Sequence, residues 1–142
     1  GLSQFKRLNF MIKVRAKNRK KIINQLINSS NWKNQFTFLN INKLVKPSYF
    51  GFPILINKKY LSRKNNFLKF LNKKGIETRQ IISGNFVNQP GVKLYKFDKR
   101  DKEFKNTQEI DNRGFFIGLH PRAISKNTLK YLENNLLRIS RI

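Results

Sequence analysis

The chain has 142 residues, 31 Lys and Arg against 7 Asp and Glu, a formal charge of +24 and no cysteine. This length makes about one ordinary domain, burying roughly two-thirds of its unfolded surface, and no apolar run nears the roughly 20 residues that cross a bilayer. Without cysteine this segment holds no disulfide, thiolate metal site or thiol nucleophile, so the cytoplasm is the default compartment.

The charge by itself points to nucleic acid or an anionic membrane surface. A competing cause is coding bias: Lys, Asn, Ile and Phe, all with codons rich in A and T, make up nearly half of the chain. The basic residues are spread along the whole length, with short clusters at Arg19-Lys20-Lys21, Lys58-Lys59, Lys73-Lys74 and Lys99-Arg100 and no run of five or six like charges. A solvated basic surface is the simpler account. An RNA-binding or ribosome-associated module, with Phe and Tyr as stacking platforms, is the alternative from another class.

In chain order, Gly1-Leu2-Ser3-Gln4-Phe5-Lys6 has no signal-peptide features and reads as a truncated start. Apolar residues at Leu2, Phe5, Leu8, Ile12, Ala16, Ile23 and Ile27 predict one long amphipathic helix over about 2–27, ended by Asn28-Ser29-Ser30-Asn31. Strands are expected at Phe36 to Ile41 and at Tyr49 to Ile56, and Pro53 places the second at a sheet edge or a bulge. Ser62 is expected to cap a helix from Arg63 to Lys74 that ends on a left-handed Gly75.

A third strand over Ile76 to Ile82, a turn at Ser83-Gly84-Asn85 and a loop marked by Gln89-Pro90-Gly91 follow. Thr107 is expected to cap a short helix to about Arg113, and Gly114 to precede a strand from Phe115 to Leu119. After His120-Pro121 turns the chain, Ser125 caps a last helix with Leu129, Leu132, Leu136 and Ile139 on one stripe. The order strand, strand, helix, strand, short helix, strand, helix predicts an α/β (α+β) domain, a small sheet covered by helices.

His120 is the only histidine, and there is no HExxH pattern, no GxxxxGK[ST] loop and no Ser/His/Asp motif. Seven scattered carboxylates do not suggest a paired-carboxylate site. The unusual residues cluster in loops after the expected strands, where ligand contacts are common. Arg79 can clamp a phosphate or carboxylate with its planar fork, or simply pair with Glu77. Asn85 is a ligand candidate or a turn residue, Gln89 sits in the same loop, and His120 is a contact residue or a structural one.

Four motifs taken in order, Pro47-Ser48-Tyr49-Phe50-Gly51-Phe52-Pro53-Ile54, Gly75-Ile76-Glu77-Thr78-Arg79, Ser83-Gly84-Asn85-Phe86-Val87-Asn88-Gln89-Pro90 and Gly114-Phe115-Phe116-Ile117-Gly118-Leu119-His120-Pro121, resemble the C-terminal region of the DegT/DnrJ/EryC1/StrS family. The third motif is more similar to the 3-dehydrase branch than to the sugar aminotransferases, which carry a His- and Tyr-containing segment there. The resemblance implies residues 1–30 as a long interdomain helix, residues 31–142 as the small domain of a fold type I enzyme, and a cofactor domain preceding residue 1.

It further implies an enzyme of deoxysugar and O-antigen lipopolysaccharide biosynthesis that removes the 3-hydroxyl of a CDP-4-keto-6-deoxyglucose type nucleotide sugar. Pyridoxal or pyridoxamine phosphate would be bound mainly by the preceding domain, with His replacing the cofactor-anchoring Lys there. An iron-sulfur cluster in that part, a homodimer and a reductase partner are further implications, and a sister aminotransferase is the alternative. In this segment Arg79, Asn85, Gln89 and His120 would line the substrate pocket.

Overall fold

The structure, a computed structural model, describes residues 2–96 and 104–142, and the basic pair Lys99-Arg100 lies outside them. The opening helix is in two pieces, α1 (Leu2–Phe5) and α2 (Leu8–Ile27), joined by a turn in which the Arg7 amide donates to the Gln4 carbonyl. Its buried residues are Asn18, Ile22 and Leu26, one position off the stripe expected from the sequence, and Ile27 is largely exposed. The adjacent pairs Ile22-Ile23 and Leu26-Ile27 allow two registers. The helix takes the one that continues N-terminally through Asn18 and Arg15, because those side chains find partners inside the fold.

The strands β1 (Phe36–Phe38), β2 (Gly51–Ile56), β3 (Thr78–Arg79) and β4 (Gly114–Gly118) form one antiparallel sheet in the order β1-β2-β4-β3. β1 and β3 are shorter than the apolar runs that predicted them. Along β2, Phe52, Ile54 and Ile56 point inward while Gly51, Pro53 and Leu55 face out, the two-residue alternation of a sheet with one covered face. Pro53 is therefore on an interior strand of the sheet, not an edge strand or a bulge as expected. It is tolerated because β1 stops at Phe38 opposite Ile54, so on that side β2 has no ladder partner at Pro53.

A 3₁₀ turn over Lys58–Arg63 leads into α3 (Lys64–Lys73). Asn57, not Ser62, caps this segment by accepting from the Lys59 amide. Gly75, at φ 72°, closes α3 as expected: Ile76 N donates to Leu71 O and Gly75 N to Asn72 O, the two bonds of a left-handed glycine stop. Residues 86–94 form two 3₁₀ turns. Then α4 (Lys105–Arg113) begins after Phe104, so Thr107 is inside the helix rather than its cap. Ser125 does cap α5 (Lys126–Leu136), its hydroxyl accepting from the Thr128 amide at 3.1 Å.

One core fills the space between the inner sheet face and α2, α3 and α5. The ring of Phe67 meets Phe36 at 6.0 Å and Phe115 edge-on at 6.1 Å, and burying each such ring is worth about 2–3 kcal/mol. A polar tie fastens α2 to α5. The Glu133 carboxylate is almost completely buried and accepts from Gln25 and Ser29 at 2.6 Å and from Lys130 at 3.1 Å.

Burial pushes the Glu133 carboxyl up, but the hydrogen bonds from Ser29, Gln25 and Lys130 and the Lys130 charge together hold it below the usual carboxylate range. The folded state therefore binds this proton less readily than the unfolded state. Its contribution is present in full above the ordinary glutamate range and is lost as pH falls through and below it. Glu133→Ala is expected to lower stability by about 2–3 kcal/mol and to flatten the acid limb of the stability profile, measured by urea unfolding at several pH values.

Candidate functional site

The site is built on the exit of β4. Here the chain leaves the sheet as Gly118-Leu119-His120-Pro121, and its backbone groups need partners once the ladder ends. α2 supplies them. Arg15 Nε donates to Leu119 O at 3.2 Å, and the Asn18 amide donates to His120 O at 3.0 Å and Arg122 O at 2.6 Å while accepting from Ile124 N at 3.1 Å. With Asn18 only 3% exposed, this clamp fixes the position of His120 relative to the long helix.

β3 is fixed just as locally. Thr78 N donates to the Asn72 side chain at 2.9 Å, and the Asn72 amide returns a bond to the Thr78 hydroxyl. This sets the register in which Arg79 pairs with Phe116 of β4. Phe116 also pairs with Pro53, so Pro53, Phe116 and Arg79 form a row across the outer sheet face. In the next row Gly51 opposes Gly118, and no side chain stands there.

An open cleft of about 430 Å³ lies over this part of the sheet, lined by Arg15, Phe50, Glu77, Arg79, Phe116, Gly118, Leu119, His120 and Pro121. Arg79 pairs with Glu77, Nη2 to Oε1 at 2.7 Å, both side chains well exposed, so the link is weak and open to exchange with another anion. Among the described residues no carboxylate pairs with Arg15. Two guanidinium groups against one carboxylate leave the cleft positive and rich in planar donors, the chemistry that holds phosphates.

Of the four residues singled out from the sequence, Arg79 and His120 come together in this cleft. Asn85 and Gln89 lie in the loop beyond β3 and line none of the cleft. The Asn85 side chain is buried, donating to Gln108 at 2.9 Å and accepting from Val87 N at the start of a 3₁₀ turn. Gln89 donates to Ser83 O at 2.7 Å. Both tie the loop to itself and to α4, and Gly84 is needed between them: it has φ 68°, and a Cβ there would collide with the Asp111 carboxylate.

Arg15, Phe50 and Gly118 are cleft residues that the sequence reading missed. Arg15 and Asn18 stand three and seven residues before Ile22 on the buried stripe of α2, and polar side chains at stripe positions were the available signal. Lys64 has an unusual environment without a place in the cleft. Burial lowers its pKa, opposed by the Asp111 charge, and its ammonium donates to the Asp111 and Asn112 carbonyls at the end of α4, as suits a cation at a helix C-terminus. Among the described residues no three His, Cys, Asp or Glu side chains gather as metal ligands, and no helix is long and apolar enough to cross a membrane.

An antiparallel four-stranded sheet, covered by helices on one face and braced by a long entering helix, is the α+β small domain of the pyridoxal-phosphate-dependent aminotransferase-like fold. Within that class the chain belongs to the DegT/DnrJ/EryC1/StrS aminotransferase family, whose model matches residues 1–135. It is 29% identical over 138 residues to GDP-4-keto-6-deoxy-D-mannose 3-dehydratase of Yersinia pseudotuberculosis, covering 96% of this chain and 33% of that protein. It is 36% identical over 75 residues to the lipopolysaccharide biosynthesis protein RfbH of Salmonella typhimurium, covering 53% of this chain and 17% of that one.

Among solved structures it resembles the E. coli GDP-4-keto-6-deoxy-D-mannose-3-dehydratase with bound hydrated PLP, with a TM-score of 0.80 and 25% identity over 95% of this chain and 33% of that one. The fold is shared with a sugar aminotransferase of Streptococcus pneumoniae at a TM-score of 0.77 and 16% identity, over 99% and 33% of the two chains. The chain spans at most about a third of the length of these relatives.

If Asn18 is what holds the β4 exit, Asn18→Ala should leave three backbone groups of residues 120–124 without partners. The expected result is a loss of about 1–3 kcal/mol with faster hydrogen exchange at the Ile124 amide; an unchanged exchange rate there would refute the clamp.

Proposed function

We propose that this chain forms one wall of the substrate cleft in a nucleotide-sugar 3-dehydratase of deoxysugar and lipopolysaccharide biosynthesis, acting on a CDP-4-keto-6-deoxyglucose type sugar. The observation that carries this is the convergence of Arg15, Arg79 and His120 on one cleft, in a chain whose longest alignments are to relatives named 3-dehydratases. The reaction removes the 3-hydroxyl from a 4-keto-6-deoxy sugar. When bound, pyridoxal or pyridoxamine phosphate supplies the electron sink for that step. No lysine lines the cleft, so the cofactor would be held by other parts of the whole enzyme. The iron-sulfur cluster gains no support from these relatives and is not included.

The work of this chain is to bind and orient. Arg15 is pinned by the Leu119 carbonyl and Arg79 by strand register, so both are set in place before a diphosphate arrives, which reduces the ordering cost of binding. Glu77 releases Arg79 as the phosphate replaces it. His120, on a clamped segment, is placed to hydrogen-bond a sugar hydroxyl or phosphate oxygen. Asn85 and Gln89, expected as further pocket residues, serve here by shaping the loop behind Arg79, with any direct contact to the sugar left to the complete enzyme.

The test is turnover of a nucleotide-linked 4-keto-6-deoxy sugar by the polypeptide in which this segment is joined to its cofactor domain. Arg79→Ala should raise KM about tenfold or more, roughly the worth of one charge-assisted phosphate contact, and the product should have lost its 3-hydroxyl without gaining nitrogen. An unchanged KM would remove Arg79 from the site, and an aminated product would assign the chemistry to the aminotransferase branch.

A further inference from the structure

The outer sheet face carries a feature that the arginines alone do not explain. Tyr49, just before β2, has φ 43°, a left-handed conformation that bulky side chains rarely adopt. Its ring packs inward against the core with the Arg19 guanidinium 5.2 Å above it, and the next residue, Phe50, is turned outward and 72% exposed. A single exposed Phe is unremarkable on any surface. This one is projected by a strained turn and meets Phe116 at 6.2 Å with the ring planes 57° apart.

The opposed glycines complete the feature. A Cβ on Gly51 would come within 2.5 Å of Phe116 Cδ2, so the Phe116 ring occupies the space a side chain would take there. A Cβ on Gly118 would meet nothing within 4 Å. The result is a slot floored by the Gly118 backbone, bounded by two aromatic rings and by the segment that carries His120, with Arg15 and Arg79 on the same cleft.

We propose that this slot is the nucleobase subsite of a nucleoside diphosphate, the base lying against Phe50 and Phe116 over Gly118 while the phosphates meet Arg15 and Arg79; this placement rests on the function proposed above. Stacking on an aromatic ring tolerates every base, because each has a π face. Such a slot takes pyrimidine and purine alike, in keeping with relatives named for GDP-linked and dTDP-linked sugars.

The experiment is an amide-resolved NMR titration of the 142-residue chain with CDP, GDP and inorganic pyrophosphate. Both nucleotides should shift the amides of Phe50, Phe116 and Gly118, whereas pyrophosphate should act only around Arg15 and Arg79. Phe50→Ala should weaken CDP and GDP binding about tenfold and leave pyrophosphate unaffected. Gly118→Leu, whose side chain enters open space, should keep the fold and block the nucleotides. If both variants bind CDP like the parent while pyrophosphate still binds, the base subsite is overturned and the arginine cleft stands. If neither nucleotides nor pyrophosphate bind, both fall together. Concentration-dependent shifts at Phe50 and Phe116 without nucleotide would make a second copy of the chain the occupant and overturn the slot.

Discussion

The cleft depends on hydrogen bonds that run from α2 to the exit of β4. A strand that leaves a sheet presents unpaired carbonyls and amides, and without partners they favour solvent over any fixed path. Asn18 answers three of these groups and Arg15 a fourth. The long helix is thus both a wall of the core, through Ile22 and Leu26, and the template for the segment that bears His120. The same bonds orient Arg15 itself, so one set of contacts fixes two cleft residues.

Much of the fold was legible because its signals are local. Gly75, Ser125 and the alternation along β2 act through their own backbone or their nearest neighbours, and each ends or caps the element it was expected to. The errors have a common cause in contacts distant along the chain. The register of α2 could not be read from apolar spacing, since Ile23 and Ile27 fit that spacing as well as Ile22 and Leu26, and the choice is made by loop carbonyls about a hundred residues away. Pro53 reads as an edge residue, and it occupies an interior strand only because β1 is too short to reach it.

The site divides the same way. Arg79 and His120 follow strand ends, a position that composition alone marks as suspicious, and both reach the cleft. Asn85 and Gln89 carry an equal sequence signal, yet their side chains are consumed by Gln108, Val87 and Ser83. Only the fold shows which polar loop residues are already satisfied. Arg15 was hidden for the opposite reason: in a helix with many basic residues, one more cation carries no information until its carbonyl partner is known.

The brevity of β1 has a consequence beyond packing. Past Phe38 the flank of β2 lies open, and an open flank can recruit a strand from another molecule and grow into an aggregate. Pro53 is the first residue of β2 on that flank, and it offers no amide hydrogen, so an intruder extending the β1 ladder would meet a missing donor at its first step. A residue that looks like a defect in a central strand therefore works as a guard on a half-covered one, and keeps a strongly basic, Phe-rich domain from pairing with itself along the backbone.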